Sequence, residues 1–159
     1  MRICLLVVFC FCCFVSVAQF KFLAAPKDSA SAYYYKSNTL KRGKSRIENL
    51  KYTELWLKRT CNSGKMDVFR KNEIAKRKEH KLKVDGYKDY TYSLMRWQFS
   101  CETKKCRIIQ SLDYNSKGVI LDSFLKKDLE VDWDTIDPAS MAEKVMEFVC
   151  RAPSAPAKK

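Results

Sequence analysis

Period-two alternation of apolar and polar residues dominates the middle of the chain, and it predicts strands. "KDYTYSLMRWQFSCE", 88 to 102, is the clearest case. Met95, Trp97, Phe99 and Cys101 fall on one side, and Tyr92, Leu94, Arg96 and Gln98 on the other. "KCRIIQSLDY", 105 to 114, follows across a tight turn at Thr103 and Lys104, and "VILDSF" follows the turn "NSKG" at 115 to 118, so three strands form a meander. Upstream, "SAYYYK", 31 to 36, reads as a short strand, and "SNTLKRGKSR" as a turn with a short strand at its centre. "IENLKYTELWLKRTC", 47 to 61, reads as a long strand with Leu55, Leu57 and Cys61 on one face and Tyr52 and Trp56 on the other.

Helical spacing occurs twice. Residues 67 to 79 carry a thin apolar edge of Phe69, Ile74 and Ala75, with Asp67 as the expected cap. Near the end, Met141, Val145, Phe148 and Val149 form an apolar stripe, with Asp137 as expected cap and Pro138 as first residue. An α+β fold follows: an antiparallel sheet with the C-terminal helix packed on its Met95–Trp97–Phe99–Cys101 face, because both surfaces are apolar.

The first 18 residues stand apart. Arg2 is their only charge, an apolar run extends from Ile3 to Val15, and Ser16, Val17 and Ala18 are small. That is the pattern of a secretory signal peptide cleaved after Ala18. Cys10, Cys12 and Cys13 follow Phe9, Phe11 and Cys12 rather than a small residue, which argues against a lipid-modified cysteine. Residues 19–30 are expected to be an ordering segment or loose lead-in, 31–151 the domain, and 152–159, "APSAPAKK", a disordered basic tail.

Removing the leader changes the remaining chemistry. Four of the eight cysteines leave with it, and Cys61, Cys101, Cys106 and Cys150 remain. An even number in an exported chain argues for disulfides, and four cysteines allow three pairings. Neither a zinc-type C-x-x-C pair nor a redox C-x-x-C motif is present, and the single histidine, His80, sits in the charged run "KRKEHKLK". No cofactor or metal is expected. The net charge is +13, and Arg2 carries one of these charges, leaving +12 on the exported chain. Polyanionic partners follow from that excess: sulfated glycans, acidic lipids or lipopolysaccharide, with nucleic acid set aside because export separates the chain from it.

The basic side chains concentrate at Lys65, Arg70, Lys71, Lys76, Arg77, Lys78, Lys81 and Lys83, in or beside the 67–79 helix, the expected binding surface. Tyr87, Tyr90 and Tyr92 follow closely and serve either ligand stacking or ordinary strand packing. No catalytic constellation emerges. Asp128, Glu130, Asp132, Asp134 and Asp137 gather near Trp133 and read as a solvated acidic loop.

The run "YSLMRWQFSCETKKCRIIQSLDYNSKGVI", followed by Trp133, Ile136, "DPASMAE" and Cys150, resembles the bacterial surface-adhesin protein E family. The ordered pattern is Cys101, Arg107, Tyr114, Gly118, Trp133, Ile136, Pro138, Ser140 and Cys150. The resemblance implies a sheet of about six antiparallel strands, with the C-terminal helix tethered by a Cys101–Cys150 disulfide. Cys61 and Cys106 depart from the family pattern together, which suggests a second disulfide between them; the rival arrangement is Cys101–Cys106 with Cys61–Cys150. The functional expectation is an exported, non-catalytic binding module of the bacterial envelope, contacting polyanions or extracellular-matrix proteins. The alternative is a structural or assembly subunit of the periplasm or envelope that self-associates as a homodimer, through a sheet edge or the Tyr52 and Trp56 face.

Overall fold

The computed structural model describes residues 20–26, 29–45, 47–126 and 131–152. The expected leader, the last seven residues, Asp128 and Glu130 lie outside the described residues.

Eight strands form one antiparallel sheet: β1 (Phe20–Ala24), β2 (Ser31–Lys36), β3 (Lys41–Lys44), β4 (Lys51–Cys61), β5 (Tyr90–Ser100), β6 (Lys105–Asn115), β7 (Ile120–Leu125) and β8 (Asp134–Thr135). The spatial order is β1-β2-β4-β5-β6-β7, with β3 paired to β4 and β8 to β6. Six strands therefore make the sheet's width, and two short ones extend it. Phe20–Ala24 of the expected lead-in is a true edge strand, held by pairs such as Phe22↔Tyr34. The strand expected over 47–61 begins at Lys51 instead, because Asn49 turns into the left-handed region (φ 58) and Ser45 N–H bonds to the Leu50 carbonyl at 2.8 Å.

Among the described residues two α-helices complete the fold: α1 (Met66–Glu79) and α2 (Met141–Arg151). Both lie on the same face of the sheet, at opposite ends. Val145 and Val149 of α2 pack with Leu55, Leu57, Phe99 and Cys106, and Trp97 borders them. Phe69 of α1 packs with Tyr87, Tyr90 and Ala30. The alternation of β4 and β5 is thus satisfied by two separate covers. Met95 falls between them, buried but outside both clusters.

A bulge in β6 sets which of its side chains face the helices. Arg96 pairs with Gln110 and Trp97 with Ile108, so Ile109 is the extra residue. Asp113 and Ser111 face the α1 end, Ile108 and Cys106 face inward below the bulge, and Arg107 points to the opposite face.

Neither expected cap forms. Asp67 is the second residue of α1, where its charge favours the positive helix end, while Lys65 stands at the cap without a side-chain bond. Ser140, not Asp137, caps α2: its hydroxyl accepts from Glu143 N–H at 3.2 Å, and Glu143 Oε2 accepts from Ala139 N–H at 2.6 Å. Ala139 sits at φ 61, so the chain still turns at Pro138, and the helix begins only beyond it.

Cys101 and Cys150 are joined, with Cα atoms 5.9 Å apart. Cys61 and Cys106 are free thiols, which corrects the expectation of a second disulfide. The register explains why. Cys106 pairs with Phe99, whose partner on β4 is Thr53. Cys61 lies eight residues further along β4, a displacement of roughly 26 Å at ~3.3 Å per residue, against the roughly 7 Å limit between bridged Cα atoms.

Candidate binding surface

Helix α1 contains strong helix formers and no glycine or proline, so it forms readily although few of its residues are apolar. Lys65, Lys71, Lys76, Lys78, Lys81 and Lys83 are exposed on and beside it. The other two basic residues of the expected surface are anchors. Arg70 Nε donates to the Tyr90 carbonyl at 2.9 Å, and its guanidinium lies 3.7 Å from Asp89. Arg77 is only 6% exposed. It pairs with Asp113 at 3.4 Å and with Asp122, donates to the Lys83 carbonyl at 2.5 Å, and lies over the Tyr87 ring at 4.1 Å. Its place in the binding surface is therefore corrected: it ties the helix to β6 and β7.

Beneath α1 these contacts extend into a polar network. Arg59 donates to Glu73 at 2.5 Å and to the Tyr90 hydroxyl at 2.9 Å. Asp113 accepts from Tyr87 at 2.5 Å and from Ser93 at 2.7 Å. Burial, then the bond to Asp113 and its charge, pushes the Tyr87 hydroxyl well above its ordinary pKa. Burial, only partly offset by Arg59, pushes Tyr90 up to about 12. Burial works to lower Arg59, but Tyr90 and Glu73 outweigh it and hold the guanidinium above its usual value. These three groups keep their protons at neutral pH and act as fixed donors. Tyr87 and Tyr90 are buried in the attachment of α1, whereas Tyr92 stacks on Tyr114 at 4.7 Å between ring centroids on the opposite face.

The ordered sequence pattern maps to architecture. Arg107 is 1% exposed; it donates to Gln98 at 2.8 Å and to the Val131 carbonyl at 3.2 Å, and stacks over Trp133 at 4.3 Å. Gln98 passes the chain of bonds to Glu54 at 2.8 Å. Tyr52 lies against Trp133 at 6.3 Å, so this end of the second face has a partial cover of its own. Tyr52 also lies over Gly43, where any Cβ would stand 2.5 Å from its ring. Gly118 supplies the left-handed residue (φ 75) of the β6–β7 turn, Ile136 joins the α2 core, and Pro138 and Ser140 shape the entry to α2. Asp132, Asp134 and Asp137 are exposed.

A cleft of about 330 Å³ opens between α1 and the β5–β6–β7 part of the sheet, with Lys76 and His80 at its edge. Sequence reasoning placed His80 in a solvated run. The walls that make it part of a cleft come from segments far away in the chain, and no local pattern carries them.

The model of the surface-adhesin protein E family matches residues 20–151. No curated protein and no solved structure matches the chain.

Proposed function

We propose that this chain, which belongs to the surface-adhesin protein E family, is an exported, non-catalytic binding module of the bacterial envelope. It captures polyanionic glycans, lipopolysaccharide or acidic stretches of extracellular-matrix proteins through the exposed lysines on and beside α1. The family implies a surface or exported protein that works by adhesion. No helix among the described residues is long and apolar enough to cross a membrane.

The observation that carries the reading is the division of labour on α1. Its arginines turn toward the sheet and are consumed in ion pairs, while Lys71, Lys76 and Lys78 on the helix and Lys65, Lys81 and Lys83 beside it remain exposed, Lys83 in a surface pair with Asp85. Flexible, strongly hydrated ammonium groups suit capture of polyanions by charge, with little geometric selection.

The test is binding of the chain from Gln19 to immobilised heparin, lipopolysaccharide and matrix proteins at low and at physiological salt, about 0.15 M. Binding that persists at physiological salt supports the reading; binding only at the lower salt refutes it. The alternative of self-association has one observation in its favour. Ile120 (51% exposed) and Leu125 (66% exposed) lie on β7, whose outer edge pairs with no other described strand. A dimer insensitive to salt, with no polyanion binding, would favour that reading.

A further inference from the structure

We propose that the cleft between α1 and the β5–β6–β7 part of the sheet binds a small amphipathic monoanion, an aromatic acid or a medium-chain aliphatic acid. This site adjoins the polyanion surface and shares Lys76 with it, but its apolar lining is its own and does not rest on that reading. Its volume of about 330 Å³ lies in the range of small-molecule sites, from roughly 300 Å³ upward.

The chemistry of the lining selects the ligand. Met95 and Ile108 provide an apolar floor. Leu82 and Phe124 stand on its sides, 51% and 41% exposed, two large apolar side chains left facing water around one concavity. A ligand body lying between them would remove that surface from solvent.

Inside the cleft two arginines face three carboxylates: Arg59 is paired with Glu73, and Arg77 is shared between Asp113 and Asp122. Every carboxylate is ion-paired, and the one negative charge left in excess is balanced by Lys76 at the edge. Lys76, in the last turn of α1, and His80, its C-cap, remain at the edge, both exposed and four residues apart. An acid group at this edge would meet an ammonium, while its apolar body reached the floor. The network under α1 fixes the wall in advance, which lowers the ordering cost of binding.

The probe is 8-anilinonaphthalene-1-sulfonate, an aromatic body with one anionic group, titrated into the chain from Gln19, with decanoate as competitor. The expected result is saturable binding at one site per chain, displaced by decanoate. Leu82→Asp and Phe124→Asp should each weaken it about tenfold or more, a loss of ~1.4 kcal/mol. Lys76→Glu should weaken it too, and Lys78→Glu should leave it unchanged. All four positions are exposed, and far-UV circular dichroism with thermal melting confirms that each variant is folded. Absence of saturable binding, binding unaltered by Phe124→Asp, or an equal loss in Lys78→Glu would overturn the proposal. Dye binding intact alongside absent heparin binding would refute the polyanion surface and leave the cleft standing.

Discussion

Replacing Cys101 and Cys150 together with serine isolates the tether of α2. Both residues are exposed, so the change removes a cross-link and almost no buried surface. The bond spans a sequence separation of 49. In the chain-entropy model, closing a loop of that size removes about 14 cal/mol/K from the unfolded state, or about 4 kcal/mol at 25 °C. The helix also has its own hold on the sheet. Val145 and Val149 are each 1% exposed, and each is worth roughly 1.5–3 kcal/mol of burial. The two contributions are comparable, so the serine variant should still fold cooperatively with α2 docked, but with much less margin. With a urea slope of about 2 kcal/mol per molar, the unfolding midpoint should fall by about 2 M. A fall below about 0.5 M would refute the reasoning, because the bond would then add almost nothing to what the valines supply.

Arg77→Met should cost about 3–5 kcal/mol in the same assay, because Asp113 is left buried without its cation. Lys78→Glu, one residue on, should change stability by no more than about 0.5 kcal/mol. A thiol reagent should label Cys61 in the native protein and Cys106 only after unfolding, since Cys61 is half-buried and Cys106 is buried. Alkaline pH should also act through Cys106, whose thiol is pushed from 9.0 up to about 11 by burial and then by the charge of Asp134. Between those values the unfolded thiol has lost its proton while the folded one keeps it. The unfolded state then binds fewer protons, so stability falls as pH rises, by up to about 2–3 kcal/mol. Cys106→Val should remove that part of the decline, measured as the difference between the two urea titrations at pH 8 and pH 11.

The strands β4 and β5 were legible because their large buried aliphatic and Phe side chains, Leu55, Leu57, Met95 and Phe99, share one face. Leu55 and Leu57, and Trp97 and Phe99, announce the helix-covered side by period alone. The cap of α2 was legible in principle, since "SMAE" holds Ser140 three residues before Glu143, but Asp137 and Pro138 offered a competing start. The role of Arg77 was not legible. In "AKRKEHK" it has the same local context as its lysine neighbours, and its partners Asp113 and Asp122 lie 36 and 45 residues away. The second disulfide failed on register, a property of β4, β5 and β6 together, which no cysteine spacing encodes. The cleft was hidden for the same reason, as Lys76, Met95 and Phe124 meet only after β5, β6 and β7 have paired.

The most direct test of the adhesive reading is heparin binding at physiological salt by a chain in which Lys65, Lys71, Lys78 and Lys81 are all changed to glutamate. These four are exposed and lie outside the ion-pair network under α1 and outside the cleft lining, so the fold and the cleft should survive. The account predicts that the unmodified chain binds and the variant does not, with both equally folded. Equal binding by both would contradict it, and would move the interaction away from α1.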